Sequence, residues 1–555
     1  MIRPDELPDH PVVGSALWAA WGDALGFITE LTTSLSEVTR RSGRAKVENT
    51  VPWKRRIGGR FGPMIDLPAG AYSDDTQLRL AVSRSIRADG RFDLEAFSKI
   101  ELPLFLSYEM RAGKGTKAAA FELMKRHVRW SSNFFDNDRA RYVNAGGNGA
   151  GMRIQPHVWS APGHNPKHFI GPVTMDAIVT HGHPRGVVGA VIHANALSSV
   201  LRHGSIPGPE VWEQIVEYAS AATTVMRAHD VLRERWLPDW EKAAGASWAD
   251  AVGETIAEGR EMMVAAKRAA EAEDTATAYR ELVVALGGKN RETVGSGMVA
   301  AVASLFAAWA FRDNPTEGLA VVANHLGTDT DTIATMAGAL IGATGASEVP
   351  GPVLDRQYIA AEAMRMVAIS SGDDARSFPH PDPIKWKPPR TLADAVGRID
   401  DSLAVAGLGT VGHTGKEYPL DQKDNASYQW MHLEFGQSVL IKRRRDPKPL
   451  PKGSLPVERP VRAATGGGRP QASLFEPNSE QADGADLRPA SDLAEALRRV
   501  ADAGFDSRII GAELLRLSAL PHQSIELSAA FAVAVTTLRR TRQAEAAPRD
   551  PDRLY

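Results

Sequence analysis

The sequence predicts an all-α protein over residues 11–375. Apolar residues recur there at helical spacing, as in Leu78, Ala81, Val82 and Ile86, and in Val187, Val188, Val191, Ile192 and Leu197. Alternating, strand-like patterns are almost absent. Glycines and prolines fall between the periodic stretches, at Gly70, Gly113, Gly115, Gly146, Gly147, Pro184, Gly287 and Gly288. The longest apolar run, Met298 to Phe311, is 14 residues with one serine. That is short of the roughly 20 needed to span a bilayer, so it reads as a buried helix.

The body ends at a break. Gly372 to Arg390 holds Pro379, Pro381, Pro383, Pro388 and Pro389 and cannot run as one helix. A small β-containing module is expected at 390–445, with a short helix starting near Thr391. Its mark is a hairpin over Tyr428–Lys442: Met431, Leu433 and Phe435 alternate with polar residues, Gly436-Gln437 turns, and Val439 and Ile441 return. The module ends in the basic run Lys442–Arg445, read as a solvated hairpin end or a nucleic-acid contact. Residues 446–490 are proline-rich, carry Gly466-Gly467-Gly468 and read as a disordered linker. A small C-terminal helical domain is expected at 491–545. Asp492 and Glu495 form a candidate capping box before Leu493, Leu497 and Val500, and Ser507–Leu517 and Ser524–Arg542 are amphipathic.

Composition narrows the chemistry. Basic and acidic residues number 65 and 67, a formal net charge of −2, so no whole-protein field grips nucleic acid. The chain has no cysteine. That excludes disulfides, thiolate nucleophiles, zinc-thiolate sites and cysteine-bound iron–sulfur clusters. Any metal must sit on oxygen or imidazole. Met1 to Pro11 carries Asp5, Glu6 and Asp9 and does not read as a signal peptide. A cytoplasmic protein without a membrane partner is expected.

Two acidic segments stand at helix starts. Ser73-Asp74-Asp75-Thr76 precedes the helix Gln77–Ile86, and Gly327-Thr328-Asp329-Thr330-Asp331-Thr332 precedes Ile333–Gly342. Carboxylates are favoured there by unpaired N–H groups and the helix dipole, so simple capping explains either segment alone. Together they offer six hard oxygen donors: Ser73, Asp74, Asp75, Asp329, Asp331 and Thr332. Such a set suits Mg²⁺, Mn²⁺ or Ca²⁺. Four crowded carboxylates would repel, and a two-metal site is a natural way to keep them ionised.

These segments lie within a set of motifs that resembles the ADP-ribosylglycohydrolase family, of the dinitrogenase-reductase-activating-glycohydrolase type. Gly22-Asp23-Ala24-Leu25-Gly26 with Glu30 resembles the family's first signature. Ser73–Thr76 is similar to its first metal motif, with Ser for the usual Thr. Gly147-Asn148-Gly149-Ala150-Gly151-Met152-Arg153 resembles its Asn-Gly ligand loop, Thr180-His181-Gly182-His183-Pro184 its Thr-His-x-His-Pro segment, and Gly327–Thr332 its second metal motif. The resemblance covers residues 14–345 and says nothing beyond about 375.

It implies a large orthogonal helical body with a dinuclear metal cleft holding two Mg²⁺ (or Mn²⁺) on the six donors above. It implies a metal-dependent hydrolase that cleaves the glycosidic bond between ADP-ribose and a modified acceptor, a protein side chain first. The alternatives are a module that binds ADP-ribose without catalysis and a hydrolase of ADP-ribosylated nucleic acid or a small ADP-ribosyl compound. Asp329 or Asp75 would take a proton from water. Glu30 matches a position that borders the cleft and influences substrate access; an ordinary solvent-facing Glu is the other reading. Gly147, Asn148, Gly149 and His181 would touch ligand. Gly113, Lys114 and Gly115 resemble a segment whose N–H groups cradle the diphosphate, or form a plain helix-linking turn. Arg153 and His183 read as structural. Some relatives stack an aromatic residue on adenine near the Asn-Gly loop; here Ala145-Gly146 stands there, and Tyr142 and Trp130 are the candidates to replace it.

Three further patterns lie outside the body. Gly407-Leu408-Gly409-Thr410-Val411-Gly412 fits a dinucleotide fingerprint literally, but no βαβ unit surrounds it. Gly415-Lys416-Glu417 likewise fails as a phosphate loop. Gln471-Ala472-Ser473-Leu474-Phe475 resembles the bacterial sliding-clamp-binding pentapeptide, a partner expectation set against a chance match.

Overall fold

The computed structural model describes residues 8–456 and 488–518, except 60, 346, 347, 384, 421–424 and 504, together with Phe531 and Val535. The chain divides into two compact units, Met1–Leu474 and Phe475–Tyr555. The pentapeptide Gln471–Phe475, most of the 446–490 linker and nearly all of Ser524–Arg542 lie outside the described residues.

In the first unit the elements that position the site are α1 (Pro11–Phe27), β1 (Trp53–Arg56), β2 (Met64–Leu67), α2 (Asp74–Ser85), α3 (Lys114–Leu123), α4 (Pro184–His203), α5 (Gly297–Ala310), α6 (Thr330–Gly342) and α7 (Arg356–Ser371). A five-stranded sheet follows: β3 (Val396–Ile399), β4 (Ser402–Val405), β5 (Gly409–Pro419), β6 (Ala426–Leu433) and β7 (Ser438–Arg444). Among the described residues no helix is long and apolar enough to cross a membrane.

α1 is buried along nearly its whole length, from Val12 to Phe27, with Pro11 at its first turn and His10 capping the Val12 N–H. Its close partner is α6. Glycines four apart on both helices, Gly22 and Gly26 on one and Gly338 and Gly342 on the other, make the crossing possible. A Cβ on any of them would strike the partner's backbone. Hydroxyls then tie the two backbones: Ser15 Oγ donates to the Ala339 carbonyl at 2.8 Å, and Thr335 Oγ1 to that of Ala19 at 2.8 Å. The Gly-rich opening thus fixes where the start of α6, with Asp331 and Thr332, must lie.

The helices expected from periodicity form. The Leu78–Ile86 pattern is α2. The Val187–Leu197 pattern is α4, started by Pro184 and closed by Gly204 in the left-handed conformation. The apolar run is α5, whose residues Gly297–Ala308 are buried. Strands are few in the body, though not absent. β1 and β2 pair as a hairpin, and Asp136–Asn137 pairs with Ala140–Arg141. Both hairpins are too short for alternation to show.

The expected hairpin is β6 and β7, with Met431 opposite Val439 and Gly436 in the left-handed turn. It is part of a larger antiparallel meander in the order β3-β4-β5-β6-β7. β5 escaped the reading because register shifts at Val411/His413 and Thr414/Glu417 break its alternation. The literal dinucleotide pattern falls on the β4–β5 turn, with no helix after it. A 3₁₀ turn, Leu392–Ala395, stands where a short helix was expected. In the second unit, α8 (Arg488–Asp502) and α9 (Ser507–Ser518) form, and Ala496, Val500, Leu517, Phe531 and Val535 make a small core.

Candidate active site

The fold brings the two acidic segments together. Thr332 Oγ1, at the start of α6, lies 3.5 Å from Asp75 Oδ1, at the start of α2. Asp74, Asp75, Asp331 and Thr332 are buried, and Asp329 is half-buried. The reach from one segment to the other runs through Asp23. Its carboxylate accepts from Ser73 N at 2.8 Å, Thr76 N at 2.9 Å and Thr76 Oγ1 at 2.5 Å. It therefore caps α2 from α1. Ser73 adds its own cap, accepting from Asp75 N at 3.2 Å. Arg79 links the network onward, donating to Thr76 Oγ1 at 2.7 Å and Thr335 Oγ1 at 3.0 Å. Asp23 was passed over as a positioning residue. Its signal was present: an Asp inside an apolar helix needs partners.

The electrostatics are those of charge without enough counter-charge. Burial pushes the Asp74 carboxyl well above its ordinary range, and Asp75, Glu30 and Glu109 add repulsion. Asp75 is pushed well up by burial, then by Asp23 and Asp329. Asp331 is pushed well up by burial, then by Glu30, Asp329 and Asp75. Asp75 Oδ2 is buried with no hydrogen-bond partner. These are the marks of a donor set that a hard cation would complete. Among the described residues, however, no three carboxylate or imidazole groups converge as a ready metal cage. The carboxylates repel one another, and Asp329 turns Oδ2 to Asn148 Nδ2 at 2.8 Å.

Glu30 is not a solvent-facing residue. It is buried, paired with Arg55 Nη2 at 2.9 Å and with Arg111 Nε at 3.4 Å. Burial nevertheless outweighs both cations and raises its carboxyl.

Beside the acidic starts lies a cradle of small residues around His181. A Cβ on Gly149 would sit 3.2 Å from His181 Nε2, one on Gly147 3.5 Å and one on Gly115 3.9 Å. Gly115, Gly147, Gly149 and His181 therefore converge. His181 Nδ1 shares a hydrogen bond with Thr180 Oγ1 at 2.7 Å, and burial lowers its pKa to about 3, with Arg153 adding to this. The ring is neutral at physiological pH. Asn148 N donates to the Gly295 carbonyl at 2.8 Å, and Gly297 N to that of Gly146 at 3.0 Å. The turn before α5 thus holds the Asn-Gly loop in place. Sequence reading missed this turn, Gly295-Ser296-Gly297, because it lies far from the loop along the chain.

The remaining candidates sort clearly. Gly113 and Lys114 are exposed at the start of α3, which has no side-chain cap. Arg153 is fully buried on Asp176, and its Nη1 reaches the Gly149 carbonyl at 2.9 Å, so it supports the cradle from behind. His183 caps α4, accepting from Arg185 N at 3.1 Å. Tyr142 is not available for stacking on a ligand. It is buried, its hydroxyl donates to the Ile178 carbonyl at 2.5 Å, and Phe134, Phe135 and Trp236 enclose it. Trp130 is half-buried, edge-on to His229.

A largely helical body with two facing acidic helix starts and a glycine-lined cradle defines a class, and comparison names it. Residues 6–374 match the ADP-ribosylglycohydrolase family, so the chain belongs to that family of hydrolases. It is similar to the ADP-ribosyl-[dinitrogen reductase] glycohydrolase of Rhodospirillum rubrum, 28% identical over 172 residues, which is 31% of this chain and 51% of that protein. The chain thus spans about half the length of this curated relative. A solved structure titled "ADP-ribosylglycohydrolase-related protein complex" aligns at a TM-score of 0.38 and 19% identity, over 65% of this chain and 98% of that one.

Proposed function

We propose that the protein is a divalent-metal-dependent hydrolase that releases ADP-ribose from a modified acceptor, foremost a protein side chain. The observation that carries this reading is the meeting of Asp75 and Thr332, which sets two buried acidic helix starts beside the His181 cradle. Ser73, Asp74, Asp75, Asp329, Asp331 and Thr332 would hold Mg²⁺ or Mn²⁺. Such ions, when bound, supply positive charge to the ribose hydroxyls and lower the pKa of water.

The chain's own residues do the rest. The glycines around His181 leave room for a ligand to approach backbone closely. The open start of α3 at Gly113–Gly115 presents N–H groups to a diphosphate. Asp329, oriented by Asn148, takes the proton from the attacking water oxygen, with Asp75 the second candidate. Glu30, held by Arg55 and Arg111, borders the acceptor's exit.

The test is release of ADP-ribose from arginine-, serine- and DNA-linked substrates, with Mg²⁺, with chelator, and with an Asp329→Ala/Asp331→Ala variant. Metal-dependent release lost in the variant is expected. Binding of ADP-ribose with no release from any substrate would replace this reading with a binding module.

A further inference from the structure

The family match ends at residue 374, yet the sheet that follows belongs to the same compact unit as the helical body. Besides its bonds to Arg84 and Asp355, it grips the hairpin of β1 and β2. Asp66 on β2 is the main handle. Its Oδ2 accepts from Lys416 Nζ at 2.6 Å and from the Tyr418 hydroxyl at 3.2 Å, and its carbonyl accepts from Trp430 Nε1 at 3.3 Å. A second contact is at the turn. A Cβ on Gly58 would lie 3.1 Å from the Tyr428 hydroxyl oxygen and equally close to its ring. Gly58 also holds φ at 89°, so its place against Tyr428 is open to little but glycine.

The gripped hairpin borders the acidic cleft. Arg55 on β1 pairs in register with Ile65, the neighbour of Asp66. Its guanidinium lies over the Phe27 ring, 4.5 Å from the centroid, and holds Glu30 at 2.9 Å. A shift of β2 therefore shifts the cation that fixes Glu30. Exposed apolar side chains stand on the segments beside this pair: Phe61 is 90% exposed and Met64 48% on the hairpin, while Leu31 is 53% and Leu35 60% exposed just after Glu30. A cleft for a small compound alone needs no such rim. The surface of a protein carrying the modification would cover it.

We propose that the sheet is a specificity module: by holding the Trp53–Leu67 hairpin it sets Glu30 and the apolar rim against the protein that bears the ADP-ribose. Asp66, Tyr428 and Lys416 are positioning residues and touch no reacting atom. The proposal rests on the hydrolase reading of the cleft.

The experiment uses the full chain and variants Tyr428→Ala, Asp66→Ala, Lys416→Ala and Tyr428→Phe. Two substrates are compared: an ADP-ribosylated protein that the wild type cleaves and the matching ADP-ribosylated amino acid. KM for the protein substrate should rise about fivefold or more in Tyr428→Ala and Asp66→Ala, and less in Lys416→Ala. Both kcat and KM on the amino-acid substrate should stay within about twofold, and Tyr428→Phe should restore the wild-type KM. Equal losses on both substrates, with or without a lowered melting temperature, would overturn the proposal. So would an unchanged KM for the protein. A wild type inactive on every substrate would overturn the hydrolase reading and this inference with it; an active wild type with indiscriminate variants would overturn this inference alone.

Discussion

Two buried acidic regions of this chain have opposite electrostatics. In one, Glu101 is fully buried on Arg84, with Nε to Oε1 and Nη2 to Oε2 both at 2.8 Å, and His380 adds a third bond at 2.8 Å. Burial works to raise this carboxyl, but Arg84 and the hydrogen bonds outweigh it and hold it at about 2. In the other, Asp74, Asp75 and Asp331 are buried among like charges and pushed well up. The first arrangement is scaffold. Arg84 Nη1 continues to Gln437 Oε1 at 2.6 Å, so the same pair ties the sheet to the body. In the second, burial and like charges disfavour the ionised carboxylates. Burial alone does not mark a functional carboxylate; burial without a partner does.

The comparison can be broken most directly at the cleft. Asp329→Ala/Asp331→Ala, or chelation of the metal, should lower ADP-ribose release by about 10³-fold, on the order of 4 kcal/mol of transition-state stabilisation. Steady-state kinetics on the substrate panel checks this, and residual activity near wild type would deny the cleft its role. At the scaffold pair, Arg84→Met leaves Glu101 buried with His380 in place of its bidentate partner. Stability should fall by about 3–5 kcal/mol, read as a lower urea midpoint, with the site's metal dependence retained in the folded fraction.

Metal should act on the two regions unequally. Mg²⁺ at a hundredfold excess over its Kd should stabilise the wild type by about 2.7 kcal/mol and raise its melting temperature. The Asp331→Ala variant should gain much less. An equal gain in both would place the cation elsewhere. Acid sharpens the contrast further. The Glu101 pKa is depressed in the folded state, so its contribution is present above the ordinary Glu value of about 4.5 and is lost as pH falls toward about 2. Unfolding curves between those values should steepen in the wild type, and Glu101→Gln should flatten them. The smallest effect is expected at Asn148, whose Nδ2 donates to Asp329 Oδ2. Asn148→Ala should lower kcat by about tenfold, roughly the 1–1.5 kcal/mol of one hydrogen bond, and leave the melting temperature nearly unchanged.

Much of the body was legible because its signals are local. Helical periodicity placed α2, α4 and α5, and Pro184 marked the start of α4. Motif order pointed to Asp74, Asp75, Asp331 and Thr332. The misses share a cause. β5 hid behind its bulges, and Tyr142 looked like a free aromatic residue until Phe134, Phe135 and Trp236 closed around it.

The sequence by itself determined the donor chemistry. With no cysteine, only oxygen or imidazole ligands were on offer, and the two acidic helix starts supply oxygen. The close meeting of α1 and α6 across glycines four apart on both helices is visible only in the packed body. Only the tertiary structure decided which charges found partners. Asp75 and Thr332 are 257 positions apart, and Glu101 and Arg84 only 17, yet both encounters depend on the whole packed body. The pKa of a buried carboxylate depends on what lies within a few ångströms of it, and sequence distance carries no information about that.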